Sequence, residues 1–311
     1  MLLSACLLSY NSSHTLIEAI DSILNQEFRD FELIISDDCS TDDSWDIIKT
    51  YAHKYKNIIP LRMSQNLGMA KNANFALCDA KGKYFTILHH DDVFRKDMFS
   101  KWVNLLEENS NVGMCFNDYS FNQLNVKSYH KNQLKRNYNK IIVGQEFLKK
   151  DLLKYWGCSV WGSYIFRKSI WIKLNGLNEN FSLLADVDLT MRIASISDVG
   201  YIDEQLIDLK RIKPKEYPEE YTEFSWERIF IGFDIHSSNI NRNNYPNYFQ
   251  YLCKKFVFRN KVSFEIIKWH GYALVRKKPF IIKSYSLKNN NYEFFYSRII
   301  RKIIMLFVKE R

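Results

Sequence analysis

The sequence predicts an α/β fold with a mostly parallel central sheet flanked by helices. Short, continuous apolar runs alternate with helical segments over the first 120 residues, which is the pattern of strands covered on both faces. The 311 residues are 46% hydrophobic and 15% aromatic, enough to bury a sizeable core. No run reaches the roughly 18 apolar residues that a membrane-spanning helix requires, and the apolar start lacks the basic segment of a secretion signal.

The predicted elements follow this alternation in chain order. Each strand is a short apolar run bounded by polar or turn residues, at Leu2–Tyr10, Phe31–Ser36, Ile58–Met63, Tyr84–Leu88 and Val112–Phe116. Each helix has apolar residues at helical spacing, at Thr15–Asn25, Asp42–Tyr55, Gly68–Ala80 and Lys96–Glu108. Ser40 or Thr41 is the expected cap of the second helix.

The pattern is less regular beyond residue 116. Residues 120–140 are polar, and we predict that they form a mobile loop. Helices are expected at Gln145–Lys154 and Val187–Ile196. Two short strands, at Tyr201–Ile202 and Leu206–Ile212, are expected to follow.

Charge divides the chain into two parts. The whole chain carries +9, whereas residues 251–311 contain fifteen Lys and Arg and three acidic residues, a net charge of +12. The first 250 residues therefore carry −3. We expect an α/β domain over residues 1–213 and a helical, basic C-terminal region over residues 214–311. Such a region favours an anionic surface as partner, membrane lipid before nucleic acid.

The end of the chain has an apolar stripe at helical spacing, formed by Tyr296, Ile299, Ile300, Ile303, Ile304, Phe307 and Val308. Basic residues fall off this stripe, which predicts a basic amphipathic helix on an anionic membrane. Packing against its own domain or a second subunit is the alternative. The six cysteines have no CxxC spacing, which argues against a zinc site or a disulfide framework and predicts a reducing compartment.

Acidic side chains follow an apolar strand in the run His89-His90-Asp91-Asp92. Carboxylates make poor core residues, because an unpaired buried charge is costly. At the carboxyl end of a strand in an open α/β sheet they lie where ligands bind. Such hard oxygen ligands suit Mg²⁺ or Mn²⁺. The run therefore predicts a metal-bound diphosphate, and we expect a nucleotide.

Two further acidic segments occur at positions that this fold uses. One is Ser36-Asp37-Asp38-Cys39-Ser40-Thr41-Asp42, after the second strand. Its Asp and Ser residues are also ordinary turn formers and caps. The other contains Asp186, Asp188 and Arg192. The two aspartates could merely stabilise the start of a helix through its dipole.

Together these segments resemble the family 2 glycosyltransferases, inverting enzymes with the GT-A (Rossmann-like) fold. The similarity covers about the first 210 residues. It rests on the order and spacing of several segments: Leu7–Asn11, Ser22–Gln26, Asp30–Asp38, Asn66–Gly68 with Asn74, Ala80–Phe85, His89–Asp92, Asn175–Phe181 and Asp186–Arg192. The resemblance implies a nucleotide-sugar donor, most readily a UDP-sugar, and a Mn²⁺ or Mg²⁺ cofactor.

The resemblance also implies roles for individual residues. Leu8, Ser9 and Tyr10 are expected to line the nucleoside pocket, where Asp38 accepts a hydrogen bond from the base. Asp91 is expected to bind the metal that bridges the phosphates. Asp186 is expected to be the general base that deprotonates the acceptor hydroxyl. Arg192 is expected to orient Asp188 rather than to contact sugar.

Three departures from the family pattern bear on these roles. His89 replaces the first Asp of the metal motif and His90 fills its variable position. An imidazole can ligate Mn²⁺ or bond ribose, or His89 can be buried in the sheet. Ala185 stands where many relatives have Glu. Ala73 replaces an Arg, and Lys71 could supply the missing cation to the diphosphate, unless it is merely solvated.

The signature of processive synthases, Gln/Arg-x-x-Arg-Trp, is absent, which favours a single sugar transfer. Trp156, Trp161 and Tyr164 could bind sugar rings through their aromatic faces, or could pack in the core. We expect a cytoplasmic enzyme at the inner face of the membrane that extends a lipid-linked glycan, such as a capsule or lipopolysaccharide unit. Its oligomeric state is left open.

Other functions are less consistent with the sequence. A nucleotidyltransferase normally has a Gly-rich, basic loop after its first strand, and residues 11–14 contain neither glycine nor Lys or Arg. A catalytically impaired nucleotide-sugar-binding or scaffold protein stays open because of His89. Nucleic acid is not an expected partner, because the basic region matches no recognised binding motif.

Overall fold

The computed structural model describes residues 1–121, 140–153, 163–209, 226–275 and Ile299. The chain divides into two compact units, Met1–Lys215 and Glu216–Arg311. The strands are Leu3–Ser9 (β1), Phe31–Asp37 (β2), Ile58–Arg62 (β3), Tyr84–His89 (β4), Asp92–Phe94 (β5), Val112–Phe121 (β6), Ile141–Ile142 (β7), Ile165–Arg167 (β8) and Asp198–Leu209 (β9).

Helices alternate with these strands in the first unit and make up the described part of the second. They are Ser13–Leu24 (α1), Ser44–Lys54 (α2), Met69–Cys78 (α3), Met98–Glu108 (α4), Gly144–Phe147 (α5), Lys168–Leu174 (α6), Ala185–Ile196 (α7), Trp226–Asn239 (α8) and Tyr248–Val275 (α9). A π-helical turn, Leu148–Leu152, follows α5, and a 3-10 helix, Glu179–Leu184, leads into α7.

The strands form one sheet in the order β3-β2-β1-β4-β8-β6-β9-β5, with β7 paired to β9. Strands β1 to β4 are parallel to one another, and β6 is parallel to β9. Strand β8 lies antiparallel between β4 and β6. The predicted α/β class with a central sheet flanked by helices is confirmed, and β8 makes the sheet mixed.

One face of the sheet is covered by α1, α2 and α4. The side chains of alternate β1 residues pack there against α1 and α4, and the buried cluster includes Leu3, Ala5, Leu7, Leu16, Ile20, Phe99 and Trp102. Helix α3 packs on β1 and β2. Phe85 of β4 makes edge contacts with Phe166 of β8 and Trp171 of α6, and the latter two rings stack with centroids 5.5 Å apart.

Several predicted boundaries are wrong. The two short strands expected at 201–202 and 206–212 are one strand, β9, and β6 extends to Phe121. The expected elements do not include β5, β7 or β8, because strands of two or three residues are too short to show a period. They also omit α6, a helix of seven residues. The predicted cap, Ser40 or Thr41, is also wrong, since Asp43 holds the N-cap position of α2.

The second unit is helical over its described part, in α8 and α9. Among the described helices, none is both long and apolar enough to cross a bilayer. The amphipathic segment predicted at 296–308 lies outside the described residues apart from Ile299, and most of the loop predicted at 120–140 lies outside them too. The five cysteines in the described residues are free thiols.

Candidate active site

The carboxyl ends of three parallel strands meet at one edge of the sheet. The register pairs Ser9 of β1 with Asp37 of β2, and Leu8 of β1 with His89 of β4. In an open α/β sheet this edge is where ligands bind. The candidate donor residues of the sequence therefore belong to one place in the fold, although Leu8 and Asp91 are 83 positions apart in the chain.

The turn after β2 is built around a buried carboxylate. Asp37 is fully buried and accepts hydrogen bonds from the backbone N–H and the hydroxyl of Ser40. Arg62 of β3 forms an ion pair with Asp37 at 3.4 Å and also donates to the Ser40 carbonyl. Cys39 adopts a left-handed φ of 63° in this turn. Asp37 thus fixes the turn that presents Asp38.

Asp38 holds the segment that leads into α3. Its two carboxylate oxygens accept hydrogen bonds from the backbone N–H groups of Leu67 and Gly68, both at 2.8 Å. Burial and the neighbouring Asp37 raise its pKa, and the two backbone bonds partly oppose this. Gly68 has φ +82°, a conformation that glycine adopts without strain. This structural role was not predicted, and contact of Asp38 with a base stays a prediction.

The loops after β1 and β2 are bonded to each other. Asn11 donates its backbone N–H to the Ser40 hydroxyl, and its side chain accepts from the Thr41 N–H, both at 2.9 Å. Asp42 accepts from the backbone N–H groups of Ser13 and Ser44. Burial acts to raise the pKa of Asp42, but these bonds leave it lowered overall. The two loops therefore form one rigid edge.

The first three predicted nucleoside-pocket residues lie at this edge. Leu8 and Ser9 are buried at the end of β1, and the Ser9 hydroxyl bonds to that of Ser12 at 2.8 Å. Tyr10 is exposed. Lys71, in the first turn of α3, is also exposed, and it has no hydrogen bond or ion pair within the described part of the chain. A role for Lys71 at the diphosphate stays a prediction.

The motif His89-His90-Asp91-Asp92 is divided between two strands. Strand β4 ends at His89, and His90 and Asp91 form the turn to β5. Asp92 begins β5, where it is buried and pairs with Leu209 of β9. The sequence places both carboxylates at one strand tip. Of the two carboxylates, only Asp91 lies in the turn, because Asp92 already belongs to β5. A role for Asp92 in the site stays a prediction.

His90 is held by α1. Its Nδ1 atom lies 3.0 Å from the hydroxyl of Thr15. Burial lowers the pKa of His90, while the charge of Asp91 opposes the shift. The Nδ1 atom is thus engaged by Thr15, which orients the ring. Thr15 has no signal in the sequence that marks it as part of the site.

The described residues contain no group of three His, Cys, Asp or Glu side chains placed to hold a metal ion. This donor set still fits Mg²⁺ or Mn²⁺ bound with a diphosphate. Such a cation takes one or two protein carboxylates and receives its other ligands from phosphate and water. Asp91 is a half-buried carboxylate in the turn, and the neighbouring imidazoles are nitrogen ligands that suit Mn²⁺ better than Mg²⁺.

Asp186 lies in the first turn of α7 and is half-buried. Its Oδ1 accepts the backbone N–H of Val187 at 2.7 Å. Its backbone carbonyl accepts from the hydroxyl of Tyr164 at 3.4 Å, and the Tyr164 carbonyl accepts from Thr86 of β4 at 2.9 Å. Tyr164 therefore links the start of α7 to β4. It packs in the core with its ring buried, whereas Trp156 and Trp161 lie outside the described residues.

Asp188 and Arg192 form an ion pair one turn apart on α7, with Nε 2.6 Å from Oδ2. Asp188 is buried. The two terminal nitrogens of Arg192 donate to the carbonyls of Leu174 and Gly176, each at 2.8 Å. Arg192 therefore neutralises Asp188 and holds the end of α6 against α7.

Two solved structures are similar to this chain in fold. The S. aureus TarS fragment 1–349 in complex with UDP-GlcNAc matches with a TM-score of 0.64 and 18% identity, over 88% of this chain and 80% of that one. The mannosyltransferase PcManGT from Pyrobaculum calidifontis, in complex with GDP-Man and Mn²⁺, matches with a TM-score of 0.60 and 14% identity, over 98% and 79%. At such identities the likeness is one of fold, and the fold is that of GT-A glycosyltransferases.

The model of the family described as glycosyl transferase family 2 matches residues 4–171, more than half of the chain. The chain belongs to this family, which confirms the resemblance found in its motifs.

Curated relatives match over shorter stretches. The chain is 36% identical over 106 residues to WfaP of Escherichia coli, a UDP-Glc:α-D-GlcNAc-diphosphoundecaprenol β-1,3-glucosyltransferase, covering 34% of this chain and 41% of that protein. It is 36% identical over 103 residues to a poly(ribitol-phosphate) β-glucosyltransferase of Bacillus spizizenii, covering 32% and 16%. The chain thus spans less than half of the length of these relatives.

Proposed function

We propose that this chain is an inverting glycosyltransferase that transfers a single sugar from a UDP-sugar to a hydroxyl of a glycan acceptor, in the synthesis of a surface polysaccharide. The observation that carries the proposal is the meeting of Ser9, Asp38 and the His90–Asp91 turn at one sheet edge, with Asp186 tied to β4 through Tyr164. The donor and acceptor named for WfaP, and the UDP-GlcNAc complex of TarS, support the choice of substrate class.

The donor binds with its nucleoside over Leu8, Ser9 and Tyr10 and its base near Asp38. Since both oxygens of Asp38 already accept backbone N–H groups, the base N–H bonds to a remaining lone pair of the same carboxylate. The diphosphate lies over the His90–Asp91 turn. Lys71 reaches the diphosphate from α3 once the donor is bound.

The transfer is a single displacement. Asp186 accepts the proton of the acceptor hydroxyl, whose oxygen forms a new bond to the anomeric carbon of the donor sugar. The bond from that carbon to the diphosphate breaks, and its electron pair leaves with the nucleotide. Attack from the face opposite the leaving group inverts the configuration. A positioned base of this kind contributes roughly 10²–10⁴-fold to the rate.

The residues that would hold a divalent cation are Asp91 and a histidine of the same motif, His89 or the Nε2 atom of His90. When bound, the cation neutralises the charge that grows on the departing diphosphate. Support comes from the Mn²⁺ in the PcManGT structure and from the half-buried Asp91 carboxylate in the turn.

A catalytically impaired nucleotide-sugar-binding protein is the second candidate. It is favoured by His89, which replaces a carboxylate of the family motif. Release of UDP from UDP-sugars, measured with MnCl₂ and with EDTA, separates the two. An enzyme hydrolyses its donor slowly with water as acceptor, whereas a binding protein is stabilised by UDP and releases none.

The C-terminal region is proposed to place the enzyme on an anionic membrane surface, where it meets a lipid-linked acceptor. Residues 251–311 carry +12. In α9, Phe249 and Leu252 are exposed, at 74% and 44%, next to Lys254 and Lys255. Exposed apolar residues flanked by lysines are typical of interfacial helices. The protein should float with vesicles of phosphatidylcholine and phosphatidylglycerol but not with phosphatidylcholine alone; equal recovery with both would contradict this proposal.

The donor is tested with a thermal-shift screen of nucleotide sugars in the presence of MnCl₂. UDP compounds are expected to raise the unfolding temperature of the wild type more than GDP compounds. Asp186→Asn should keep this shift and lose both transfer and donor hydrolysis. Unchanged hydrolysis in that variant would remove Asp186 as the base.

A further inference from the structure

Helix α3 is bonded to the segment that precedes α7 by a single side chain. Asn74 donates from Nδ2 to the carbonyl of Leu177 and to Oε1 of Glu179, both at 3.0 Å. Its Oδ1 accepts the backbone N–H of Leu177 at 2.9 Å. All three bonds join residues more than 100 positions apart in the chain.

The segment at 176–179 approaches α3 closely. Gly176 has φ +66°, and a Cβ atom on it would lie 2.7 Å from Oδ1 of Asn74. From the other side, Arg192 of α7 donates to the carbonyl of Gly176. The segment is therefore held between α3 and α7, and it continues through the 3-10 helix into Ala185 and Asp186.

The other side of α3 is fixed to the sheet edge formed by the carboxyl ends of β1, β2 and β4, which we call the donor edge. Its N-cap residue Gly68 donates to Asp38. Asn72 exchanges two hydrogen bonds with Ser36 of β2, through its Oδ1 at 2.6 Å and its Nδ2 at 3.1 Å. Helix α3 is thus a rigid connection from the end of β2 to Asn74.

We propose that Asn74 is a positioning residue, which sets the place of the general base Asp186 relative to the donor edge. The proposal rests on the proposed function, because Asp186 is the base only there. Asn74 does not touch the reacting atoms. It fixes the start of the segment that ends at Asp186, so that α7 begins at a defined distance from the edge where the donor binds.

A carboxamide suits this position for a chemical reason. The bonding pattern needs two donors, directed to a carbonyl and a carboxylate, and one acceptor for an N–H. Asn supplies all three from one planar group. Asp has the same shape but only acceptors at neutral pH, and it would face the Leu177 carbonyl and the Glu179 carboxylate with like charge. The isosteric substitution is therefore expected to be as harmful as truncation.

The test uses the full chain and four variants: Asn74→Ala, Asn74→Asp, Glu179→Gln and the control Asn104→Ala. Asn104 is an exposed residue of α4 with no side-chain hydrogen bond within the described residues. Three quantities are measured: affinity for UDP with MnCl₂ by calorimetry, hydrolysis of UDP-glucose and of UDP-N-acetylglucosamine, and amide hydrogen exchange over residues 177–188.

Both Asn74 variants should keep the UDP affinity, show faster exchange over 177–188, and lose roughly 10- to 100-fold in the hydrolysis rate constant, as expected for a displaced catalytic group. Glu179→Gln keeps its Oε1 acceptor and should behave like Asn104→Ala and the wild type in all three. A loss confined to the rate constant is a readout that general destabilisation would not produce.

The outcomes separate two claims: that Asn74 holds the segment at 177–179, and that this contact positions Asp186. Unchanged amide exchange in Asn74→Ala would show that the Asn74 side chain does not hold the segment at 177–179, whatever the activity. Faster exchange with unchanged hydrolysis would overturn the positioning role. A loss of UDP affinity equal to the loss of rate would show that Asn74 serves the donor site, and it would also overturn the positioning role. A wild type that neither binds UDP nor releases it would overturn the proposed function, and the positioning proposal with it.

Discussion

Asp38 and Gly68 are joined by a hydrogen bond of 2.8 Å from the backbone N–H of Gly68 to the carboxylate. The turn after β2 thereby holds the start of α3. Asp38, which is expected to bond the base of the donor, therefore also fixes the backbone at Leu67 and Gly68.

Replacing Asp38 with Asn should therefore affect both stability and binding. An amide can accept only one of the two backbone N–H groups and presents its own N–H₂ to the other, which costs about 1–3 kcal/mol of unfolding free energy. UDP affinity should fall at least about tenfold. Denaturant unfolding and calorimetry measure the two effects. Asp46→Asn, at an exposed position of α2, is the control. If the two variants lost the same unfolding free energy and the same UDP affinity, the role of Asp38 would be refuted.

Arg192 should matter for stability more than a surface cation does. Its removal takes the Arg192 guanidinium away from the buried carboxylate of Asp188, and the carbonyls of Leu174 and Gly176 lose their Arg192 donors. Arg192→Met, which keeps the apolar stem, should lower the unfolding free energy by about 3 kcal/mol or more. Lys49→Met breaks an exposed pair with Asp46 and should cost at most about 1 kcal/mol. Similar costs for the two variants would contradict the buried pair.

Substitution of Gly176 tests the close approach of α3 to the segment before α7. Gly176→Ala introduces a Cβ at a left-handed φ, which costs about 1–2 kcal/mol, and crowds Oδ1 of Asn74. Among the described residues, a Cβ added to Gly232 of α8 would meet no atom within 4 Å apart from its chain neighbours and the backbone of its own helix. Gly232→Ala should instead stabilise the protein by about 0.5–1 kcal/mol, because alanine favours a helix interior. Opposite signs for the two substitutions are expected in denaturant unfolding.

The strands that build the donor edge are predictable, and the contacts that hold it are not. Strands β1, β2 and β4 are continuous apolar runs in the sequence. Ser9 is the last residue of β1, Asp38 directly follows β2, and Asp91 lies two residues after the end of β4. The bonds from Asp38 to Gly68 and from Asn74 to Leu177 join distant residues, and no local period encodes such pairing. The antiparallel strand β8 has no signal in the sequence for a different reason. It spans only Ile165–Arg167, which is too short to show a period.

His236 should make stability depend on pH in a defined window. Burial, followed by the charges of Lys261 and Lys254, lowers its pKa from 6.5 to about 3. Below pH 6.5 the unfolded chain binds a proton that the folded chain does not. Stability contributed by neutral His236 is therefore lost as the pH falls from 6.5 towards 3, by up to about 1.4 kcal/mol per pH unit.

The check is the unfolding free energy of His236→Gln and wild type, compared from pH 7.5 to 4.5. The variant removes this titration, so its curve should be flatter below pH 6.5, even if it is less stable at neutral pH. Curves that stay parallel throughout would exclude His236 as the source of the acid sensitivity.

The central claim is that Asp91 binds a divalent cation against the diphosphate of the donor. Calorimetric titration of UDP, with MnCl₂ and with EDTA, tests it most directly in the wild type, in Asp91→Ala and in the control Asp79→Ala, at an exposed position after α3. Mn²⁺ should tighten UDP binding at least about tenfold in the wild type and the control, and should have no effect in Asp91→Ala. An Asp91→Ala protein whose UDP affinity still rises with Mn²⁺ would contradict the account.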